Sequence, residues 1–359
     1  MKYRLLLIFC LFCAIVQAQA PSGYYASAAN KKGYALRVAL YSIIKNHTAL
    51  SYSDLWSAYY TTDKRSDNGK VWDIYSDNPN GNTAYYFTFG SDQCGSYSSE
   101  GDCYNREHSV PQSWFGDALP MKTDLFHVYP TDGWVNNKRG NLPLGEVSNA
   151  TWTSTNGSKV GTCSVSGYSG SVFEPNDAYK GDLARSYFYM AVCYMDKNLG
   201  QTNLSMFTNG SLDPWALNML IRWHNEDPVS QKEIDRNNAV YALQHNRNPF
   251  IDFPELVGKI FGSDSVNAFN PTGIETYDLA DNWMVFPNPT MDVVNIIPPV
   301  QLEEAATIQI LNLTGQVVWQ ENEYISQGVT LDMSHFTPGL YLVRIQSDNF
   351  KILKKVVKK

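Results

Sequence analysis

The spacing of hydrophobic positions predicts helices in the middle of the chain. Residues 182–195 carry large apolar side chains about three or four positions apart, which is typical of a helix that packs into a core. These side chains are Tyr187, Phe188, Met190, Ala191 and Tyr194. Residues 222–245 keep a helical pattern that Pro228 interrupts, and Asp227 is placed to cap the second part. The pattern therefore predicts one buried helix and then a pair of helices.

Aromatic and β-branched residues predict two strands and a helix before this region. The stretch TAYYFTFG at residues 83–90 and the stretch LFHVY at residues 125–129 are both typical of strands. Pro130 is expected to end the second strand, because proline has no backbone N–H. Thr131 is then placed to cap a short helix over residues 132–139, which begins with an acidic residue that suits the helix dipole.

The last part of the chain has short alternating segments separated by Gly, Asn and Pro, which predict a small β-sandwich. These segments are residues 307–311, 316–319 and 340–345. A polar stretch at residues 271–282 is typical of a linker. The expected fold is therefore α+β over residues 19–270, followed by an all-β domain over residues 283–359.

The amino terminus has the pattern of a secretory signal. Lys2 and Arg4 precede twelve apolar residues at 5–16, and a small-residue stretch at 17–20 follows. Such a run is too short to cross the roughly 30 Å hydrocarbon core of a membrane. We expect a signal peptide over residues 1–18 and a mature protein with no transmembrane segment.

Four cysteines follow the signal, in a compartment that favours disulfides. Three pairings are possible, and we expect Cys94 to pair with Cys103 and Cys163 with Cys193. The first pair would close a short loop rich in Gly and Ser, which stabilises a fold by about 3 kcal/mol in the chain-entropy model. Zinc binding is disfavoured, because none of these cysteines has the Cys-x-x-Cys spacing.

The chain has a net charge of −7. This acidic balance disfavours a protein that coats nucleic acid through bulk positive charge, since phosphate contacts need local Lys and Arg. An enzyme that approaches nucleic acid through a small basic groove stays compatible with it.

The stretch CYNREHSVPQSWF contains side chains suited to phosphodiester hydrolysis. That reaction needs a base to activate water, a cation to stabilise the developing charge, and a donor to hold the phosphate. His108 is the residue type of a general base near neutral pH. Glu107 and Asn136, the latter on the predicted helix, offer hard oxygen ligands that suit Mg²⁺. Arg106 or Arg139 could hold a phosphate oxygen through two donors.

The adjacent positions of Glu107 and His108 raise a geometric difficulty. Neighbours in a regular strand point to opposite faces, so both could not address one metal centre from a regular pleat. We therefore expect an irregular backbone here. Pro111 and the nearby disulfide favour a bend or a strand end.

Several motifs together resemble the endonuclease I family of secreted bacterial nucleases. They are NREHSVP at 105–111, TDL at 123–125, YPTDGWVNNKRGN at 129–141, FEP at 173–175, KGD at 180–182, AR at 184–185 and NRNPFID at 246–252. The resemblance covers most of residues 24–262. It implies a ββα-metal fold and a metal-dependent endonuclease that cleaves DNA, and often RNA, with little sequence preference, leaving 5′-phosphate ends.

The same resemblance implies a role for each residue of the site. The general base falls on His108, and the ligands of one divalent ion fall on Glu107 and Asn136. The ion is expected to be Mg²⁺, with Mn²⁺ or Ca²⁺ as substitutes. Arg106 and Arg139 are the candidates for holding the substrate phosphate. We expect a monomer whose partners are DNA and RNA.

Residues 283–359 resemble the carboxy-terminal sorting domain of the type IX secretion system. The matching features are FPNP at 286–289, LTG at 313–315, PGLY at 338–341 and the basic end at 351–359. The resemblance implies export from the periplasm across the outer membrane by that machinery, followed by removal of the domain or attachment to the cell surface. A carbohydrate-binding or structural sandwich is the alternative.

A secreted glycan-binding or adhesion module without catalytic activity is the alternative function. The 9 tryptophans, the 23 tyrosines and the acidic balance favour it. It predicts no metal requirement and no effect of a change at His108. An acid, a histidine and an asparagine in the order strand, strand, helix favour the nuclease.

Overall fold

The computed structural model of the protein describes residues 20–197, 199, 205–271, 283–298, 304–347 and 351–359. The chain forms two compact units, one that ends at Phe269 and one that begins at Asn270. The expected signal peptide at 1–18 lies outside the described residues. All of the expected linker after residue 271 also lies outside them.

Helices dominate the larger unit. They are α1 (Gly33–Ile44), α2 (Asp54–Thr62), α3 (Gly133–Arg139), α4 (Lys180–Cys193), α5 (Pro214–Glu226), α6 (Gln231–Gln244), α7 (Pro249–Asp252) and α8 (Leu256–Phe261). Every residue of α4 from Gly181 to Cys193 is buried, which confirms the predicted core helix. The first, fourth and fifth helices pack together around this centre.

The strands of the larger unit form separate small sheets. They are β1 (Tyr104–His108), β2 (Val128–Asp132), β3 (Val147–Thr153), β4 (Lys159–Cys163), β5 (Ser171–Glu174), β6 (Phe207–Thr208) and β7 (Ser211–Leu212). β1 pairs with β2, β3 to β5 form a three-stranded sheet, and β6 pairs with β7. Mixed helices and sheets confirm the α+β class for this part of the chain.

Most of the large aromatic residues are used in the core of the larger unit. The largest fully buried side chains include Trp223, Tyr59, Tyr75, Tyr104, Tyr187, Tyr189, Tyr194, Phe126, Phe173 and Phe188. The high aromatic content is therefore largely explained by packing and gives little support to a glycan-binding surface.

The predicted helix pair over residues 222–245 is present as α5 and α6, but its cap was assigned wrongly. The N-cap of α6 is Ser230, which forms a capping box with Glu233. The carboxylate of Asp227, the expected cap, instead accepts a hydrogen bond from the backbone N–H of Gly181 at 2.8 Å. The helix start is thus set by a reciprocal pair of side-chain bonds three residues further on.

Two strand predictions were wrong. Residues 83–90 form no strand, and β1 occupies Tyr104–His108 instead. Pro130 does not end the second strand: β2 runs through it, with Pro130 opposite Arg106. The sheet has two strands, so each has an unpaired edge where proline needs no ladder hydrogen bond. The cap of α3 is consequently Asp132 rather than the expected Thr131.

One of the two expected disulfides is present. Cys94 and Cys103 are bonded, with their Cα atoms 5.8 Å apart. Cys163 and Cys193 are free, so that pairing was wrong. Cys193 is buried at the end of α4, where its Sγ contacts the backbone oxygen of Ile44 at 3.7 Å, whereas Cys163 ends β4 and is only half-buried. The two thiols therefore belong to different packing environments.

The smaller unit consists of strands, as expected. They are β8 (Met284–Phe286), β9 (Val293–Ile297), β10 (Glu304–Leu311), β11 (Val317–Ile325), β12 (Val329–Asp332), β13 (Gly339–Gln346) and β14 (Lys351–Lys358). One sheet has the order β11, β10, β13, β14 and the other has the order β12, β9, β8. Buried aliphatic residues from both sheets form one core, which includes Val294, Ile296, Ile308, Ile310, Val343 and Ile345.

Candidate active site

The predicted site residues lie on the β1–β2 pair and on α3. Glu107 lies opposite Tyr129 and His108 lies opposite Val128 in a regular antiparallel register. The irregular backbone expected here is therefore absent within β1, and the simpler alternative is right, since the strand ends at His108. Glu107 and His108 point to opposite faces of the strand, and each has its own set of partners.

Helix α3 begins at a tightly packed turn. Asp132 caps the helix by accepting a hydrogen bond from a backbone N–H of the first turn at 2.9 Å. Its own backbone N–H donates to Asp73 Oδ2 at 2.8 Å. At Gly133 a Cβ would lie 2.5 Å from the ring of Tyr97, so only glycine allows this approach. These contacts hold the helix that carries Asn136.

The Glu107 carboxylate is buried and is held through one of its oxygens. Oε1 accepts hydrogen bonds from Tyr75 OH at 2.8 Å and from Arg139 Nη1 at 3.0 Å. No donor bonds to Oε2 among the residues that the structure describes. Burial raises the pKa of Glu107 to about 6, although the Arg139 charge and the Tyr75 hydrogen bond oppose the rise. One oxygen anchors the carboxylate and the other stays available.

Arg139 supports the site from behind. Its side chain is 1% exposed. Besides Glu107, it donates to the backbone oxygens of His108 at 2.8 Å and Ser109 at 2.5 Å. The expected phosphate contact of Arg139 was therefore wrong, because a buried guanidinium with these partners has no donor at the protein surface. Its position instead ties the end of β1 to the end of α3.

The His108 ring is buried, and both of its nitrogens are hydrogen-bonded. Nε2 lies 2.9 Å from the backbone oxygen of Lys122, which can only accept, so Nε2 carries the proton. Nδ1 then accepts a hydrogen bond from Gln112 Nε2 at 2.9 Å. Burial, followed by the nearby His127, lowers the pKa of His108 to about 3. The ring is neutral at physiological pH, with its lone pair on Nδ1.

Asn136 lies half-buried on α3, against the strand that carries Glu107. Its Nδ2 donates to the backbone oxygen of Arg106 at 3.3 Å. No donor contacts its side-chain oxygen Oδ1 within the described parts of the chain. An amide oriented in this way offers a carbonyl oxygen, which is a hard ligand for a cation.

Arg106 is packed against aromatic rings. Its guanidinium carbon lies 3.7 Å from the ring centre of Tyr52 and 4.4 Å from that of Trp56. Its Nη1 donates to the backbone oxygen of Tyr52 at 2.8 Å. The guanidinium is thus largely used to pack α2 and the residues before it onto β1, which does not favour the expected phosphate contact.

Sequence reasoning missed the residues that orient this site. Tyr75 lies in a segment without helix or strand, and no local pattern links it to Glu107. The Lys122 carbonyl acts through its backbone, so its side chain gave no signal. Gln112 could have been noticed, because it follows His108 by four positions in a turn that brings the two side chains together.

A second group of ionisable residues, His47, Asp124 and Cys193, places its ligand atoms within 4.8 Å of one another. Hydrogen bonds account for this arrangement, because both oxygens of Asp124 accept from several donors. The donors are Tyr189 OH at 2.8 Å, Tyr194 OH at 2.7 Å, Gln244 Nε2 at 3.0 Å and the Phe126 backbone N–H at 3.0 Å. His47 Nε2 also lies 3.3 Å from the same carboxylate. The cluster has the character of a structural network.

Comparison with known proteins assigns the larger unit. A family model described as Endonuclease I matches residues 32–255. The chain belongs to the endonuclease I family. An extracellular ribonuclease of Bacillus amyloliquefaciens is 38% identical over 245 residues, which cover 66% of this chain and 78% of the relative. An extracellular ribonuclease of Bacillus subtilis (strain 168) is 34% identical over 244 residues, with the same two shares covered. An Endonuclease-1 of Buchnera aphidicola subsp. Baizongia pistaciae is 28% identical over 132 residues, 36% of this chain and 46% of the relative.

The endonuclease I assignment makes the protein a nuclease, that is, a hydrolase that acts on nucleic acid. Nucleases of the endonuclease I family generally depend on a divalent metal ion. A second model, described as a secretion system C-terminal sorting domain, matches residues 284–359, which confirms the expected type IX sorting domain. The endonuclease I protein is therefore secreted. Within the described ranges, no helix combines the length and apolar character needed to span a bilayer.

Proposed function

We propose that β1, β2 and α3 form the ββα-metal centre of an endonuclease that hydrolyses phosphodiester bonds in DNA and RNA with little sequence preference. One observation carries the proposal. Glu107 and Asn136 each offer an oxygen without a donor among the described residues, beside a histidine held in its neutral form. This combination supplies metal ligands and a base within one short unit.

Glu107 and Asn136 suit a divalent ion through the chemistry of their donors. A carboxylate oxygen and an amide oxygen are hard ligands, and Mg²⁺ binds through few protein ligands while it keeps several waters. We propose Mg²⁺ as the natural ion, with Mn²⁺ or Ca²⁺ as substitutes. When bound, it would stabilise the negative charge that develops on the phosphate and on the departing oxygen.

His108 Nδ1 is the proposed general base. The Lys122 carbonyl fixes the proton on Nε2, so Nδ1 is the nitrogen that can take a proton from water. A pKa of about 3 makes the free ring a weak base. The negative charge of a bound phosphate raises that pKa, because an opposite charge favours the protonated imidazole. The Gln112 amide, which occupies Nδ1, would turn aside when water binds there.

The reaction then follows from these positions. Water loses a proton to His108 Nδ1 and attacks phosphorus in line with the departing 3′ oxygen. The bond between phosphorus and that oxygen breaks, which leaves 5′-phosphate and 3′-hydroxyl ends. Arg139 and Tyr75 take no part in bond changes. They hold Glu107 Oε1, so that Oε2 keeps a fixed direction.

The test is the nicking of supercoiled plasmid by the purified protein, with Mg²⁺ and with EDTA. We expect nicking with Mg²⁺, none with EDTA, and fragment ends that polynucleotide kinase labels only after phosphatase treatment. The labelling reports 5′-phosphate ends. No nicking with Mg²⁺, Mn²⁺ or Ca²⁺ by the folded protein would contradict the proposal and favour the alternative of a glycan-binding module.

A further inference from the structure

Three aromatic residues spaced four positions apart follow one side of α2 and its approach. We call Tyr52, Trp56 and Tyr60 the aromatic row. Trp56 and Tyr60 lie on the helix, where four residues correspond to about 6 Å along the axis. The spacing places all three side chains on one face, and the row therefore forms a line rather than a cluster.

The aromatic row runs beside β1, starting at the proposed base. Tyr52 is nearly parallel to the His108 ring, with ring centres 6.2 Å apart. Trp56 contacts the Tyr104 ring edge-on at 5.5 Å. Tyr104 and His108 are four positions apart on the strand, and therefore lie on the same face. The row thus extends from the reacting end of β1 toward its beginning.

The far end of the row is open to solvent. Tyr60 is stacked on Phe89, with ring centres 4.6 Å apart and planes at 28°. Even so, 46% of its surface is exposed. The packing of α2 onto the core is achieved by Leu55 and Tyr59, which are fully buried. Tyr60 therefore presents a large aromatic face that packing does not explain.

Cations lie at both ends of the row. Lys122 Nζ is 5.2 Å from the ring centre of Tyr52, and its side chain is 30% exposed. At the other end, Lys70 Nζ donates to Thr88 Oγ1 at 2.7 Å, one residue before Phe89. Ammonium groups beside stacked rings are the combination that binds the phosphates and bases of an unpaired strand.

We propose that the aromatic row binds unpaired nucleobases of a single-stranded substrate, with Lys122 and Lys70 at its phosphates. This inference rests on the proposed function and adds a preference to it. Unpaired bases can stack on exposed rings, whereas the bases of a duplex are already stacked on each other. The row therefore favours single-stranded RNA or DNA over a duplex of the same sequence.

The test is fluorescence anisotropy of a labelled oligonucleotide, single-stranded or annealed to its complement, in EDTA and low salt. Tyr60→Ala is expected to weaken the single-strand Kd about tenfold and to leave the duplex Kd unchanged. Tyr60→Phe keeps the ring and should bind like the wild type. Tyr34→Ala is the matched control, because Tyr34 is an exposed tyrosine on α1, 72% accessible and outside the row.

Equal effects of Tyr60→Ala on single strand and duplex, or an effect no larger than that of Tyr34→Ala, would overturn the inference. A circular dichroism spectrum of Tyr60→Ala separates a local loss from unfolding, and Tyr60→Phe tests the ring if the alanine variant does not fold. Plasmid nicking by the wild type is measured in parallel. Nicking without single-strand preference contradicts this inference alone, whereas absent nicking contradicts the proposed function.

Discussion

Glu107 and Asp124 are both buried carboxylates beside charged or ionisable partners, but they differ in what is left for a ligand. Both oxygens of Asp124 accept hydrogen bonds. Glu107 accepts its two bonds on Oε1 alone. Burial and ionisable neighbours are therefore shared by a structural carboxylate and a candidate metal ligand. An oxygen without a donor is the feature that separates them.

The two carboxylates also differ in their proton affinity. Burial acts to raise the pKa of Asp124, but His47, His127 and several hydrogen bonds together hold it below its usual value. Burial raises the pKa of Glu107 to about 6, because Arg139 and Tyr75 compensate only in part. Asp124 is thus stabilised as an anion by the fold itself. The Glu107 anion gains further stability from a cation.

The largest expected effect is the loss of catalysis in Glu107→Gln. This change removes the charge of the proposed metal ligand and keeps the shape of the side chain. We expect kcat/KM for plasmid nicking to fall on the order of 10³-fold, since the stabilisation of transition-state charge by a metal amounts to several kcal/mol. Mn²⁺ binding, followed by electron paramagnetic resonance, should weaken as well. Unchanged Mn²⁺ affinity would remove Glu107 from the site.

The matched change at the other carboxylate should act on stability instead. Asp124→Ala leaves two tyrosines, a glutamine and a histidine without their shared acceptor. We expect the free energy of unfolding in urea to fall by about 3 kcal/mol. The remaining folded enzyme should keep most of its kcat. A large loss of kcat at full stability would show that Asp124 belongs to the reacting site.

The sequence predicted this comparison only in part. Glu107, His108 and Asn136 were found because the chemistry needs these residue types within one motif. The contacts that give them their roles join distant positions: Tyr75 and Arg139 each lie 32 residues from Glu107. Such contacts leave no periodic pattern in a sequence. The same limit explains the misplaced role of Arg139, whose burial depends on packing.

Local chemistry was also read better than pairing. The Cys94–Cys103 disulfide closes a short loop, and its short separation of 9 residues made it predictable. Cys163 and Cys193 were paired by elimination, and the fold keeps them free. Residues 83–90 have strand composition but no strand partner, because Tyr104–His108 takes the place beside β2. Composition indicates which residues suit a strand, and tertiary contacts decide which of them pair.

The smallest expected effect concerns His127, which lies between the two carboxylate environments. Burial lowers its pKa from 6.5 to about 4. The unfolded chain therefore takes up a proton before the folded chain does, and the free energy of unfolding falls as pH decreases below 6.5. For this group the loss at pH 5 is about 2 kcal/mol relative to neutral pH.

Urea unfolding of His127→Gln at pH 7.5 and pH 5 tests this sign. The variant should lose about 2 kcal/mol less than the wild type between the two values, whatever its stability at pH 7.5. An equal loss in both proteins would mean that His127 does not carry the pH dependence. A larger loss in the variant would reverse the sign of the argument.

The most direct test of the account compares two neighbouring histidines in the Mg²⁺-dependent nicking of supercoiled plasmid. His108 and His127 have ring centres 5.6 Å apart and both are buried, but only His108 is assigned to proton transfer. We expect His108→Ala to lose at least about 100-fold in rate, the usual contribution of a general base, and His127→Ala to retain activity wherever it stays folded. If His108→Ala cleaves as fast as the wild type, the base lies elsewhere and the proposed mechanism is wrong.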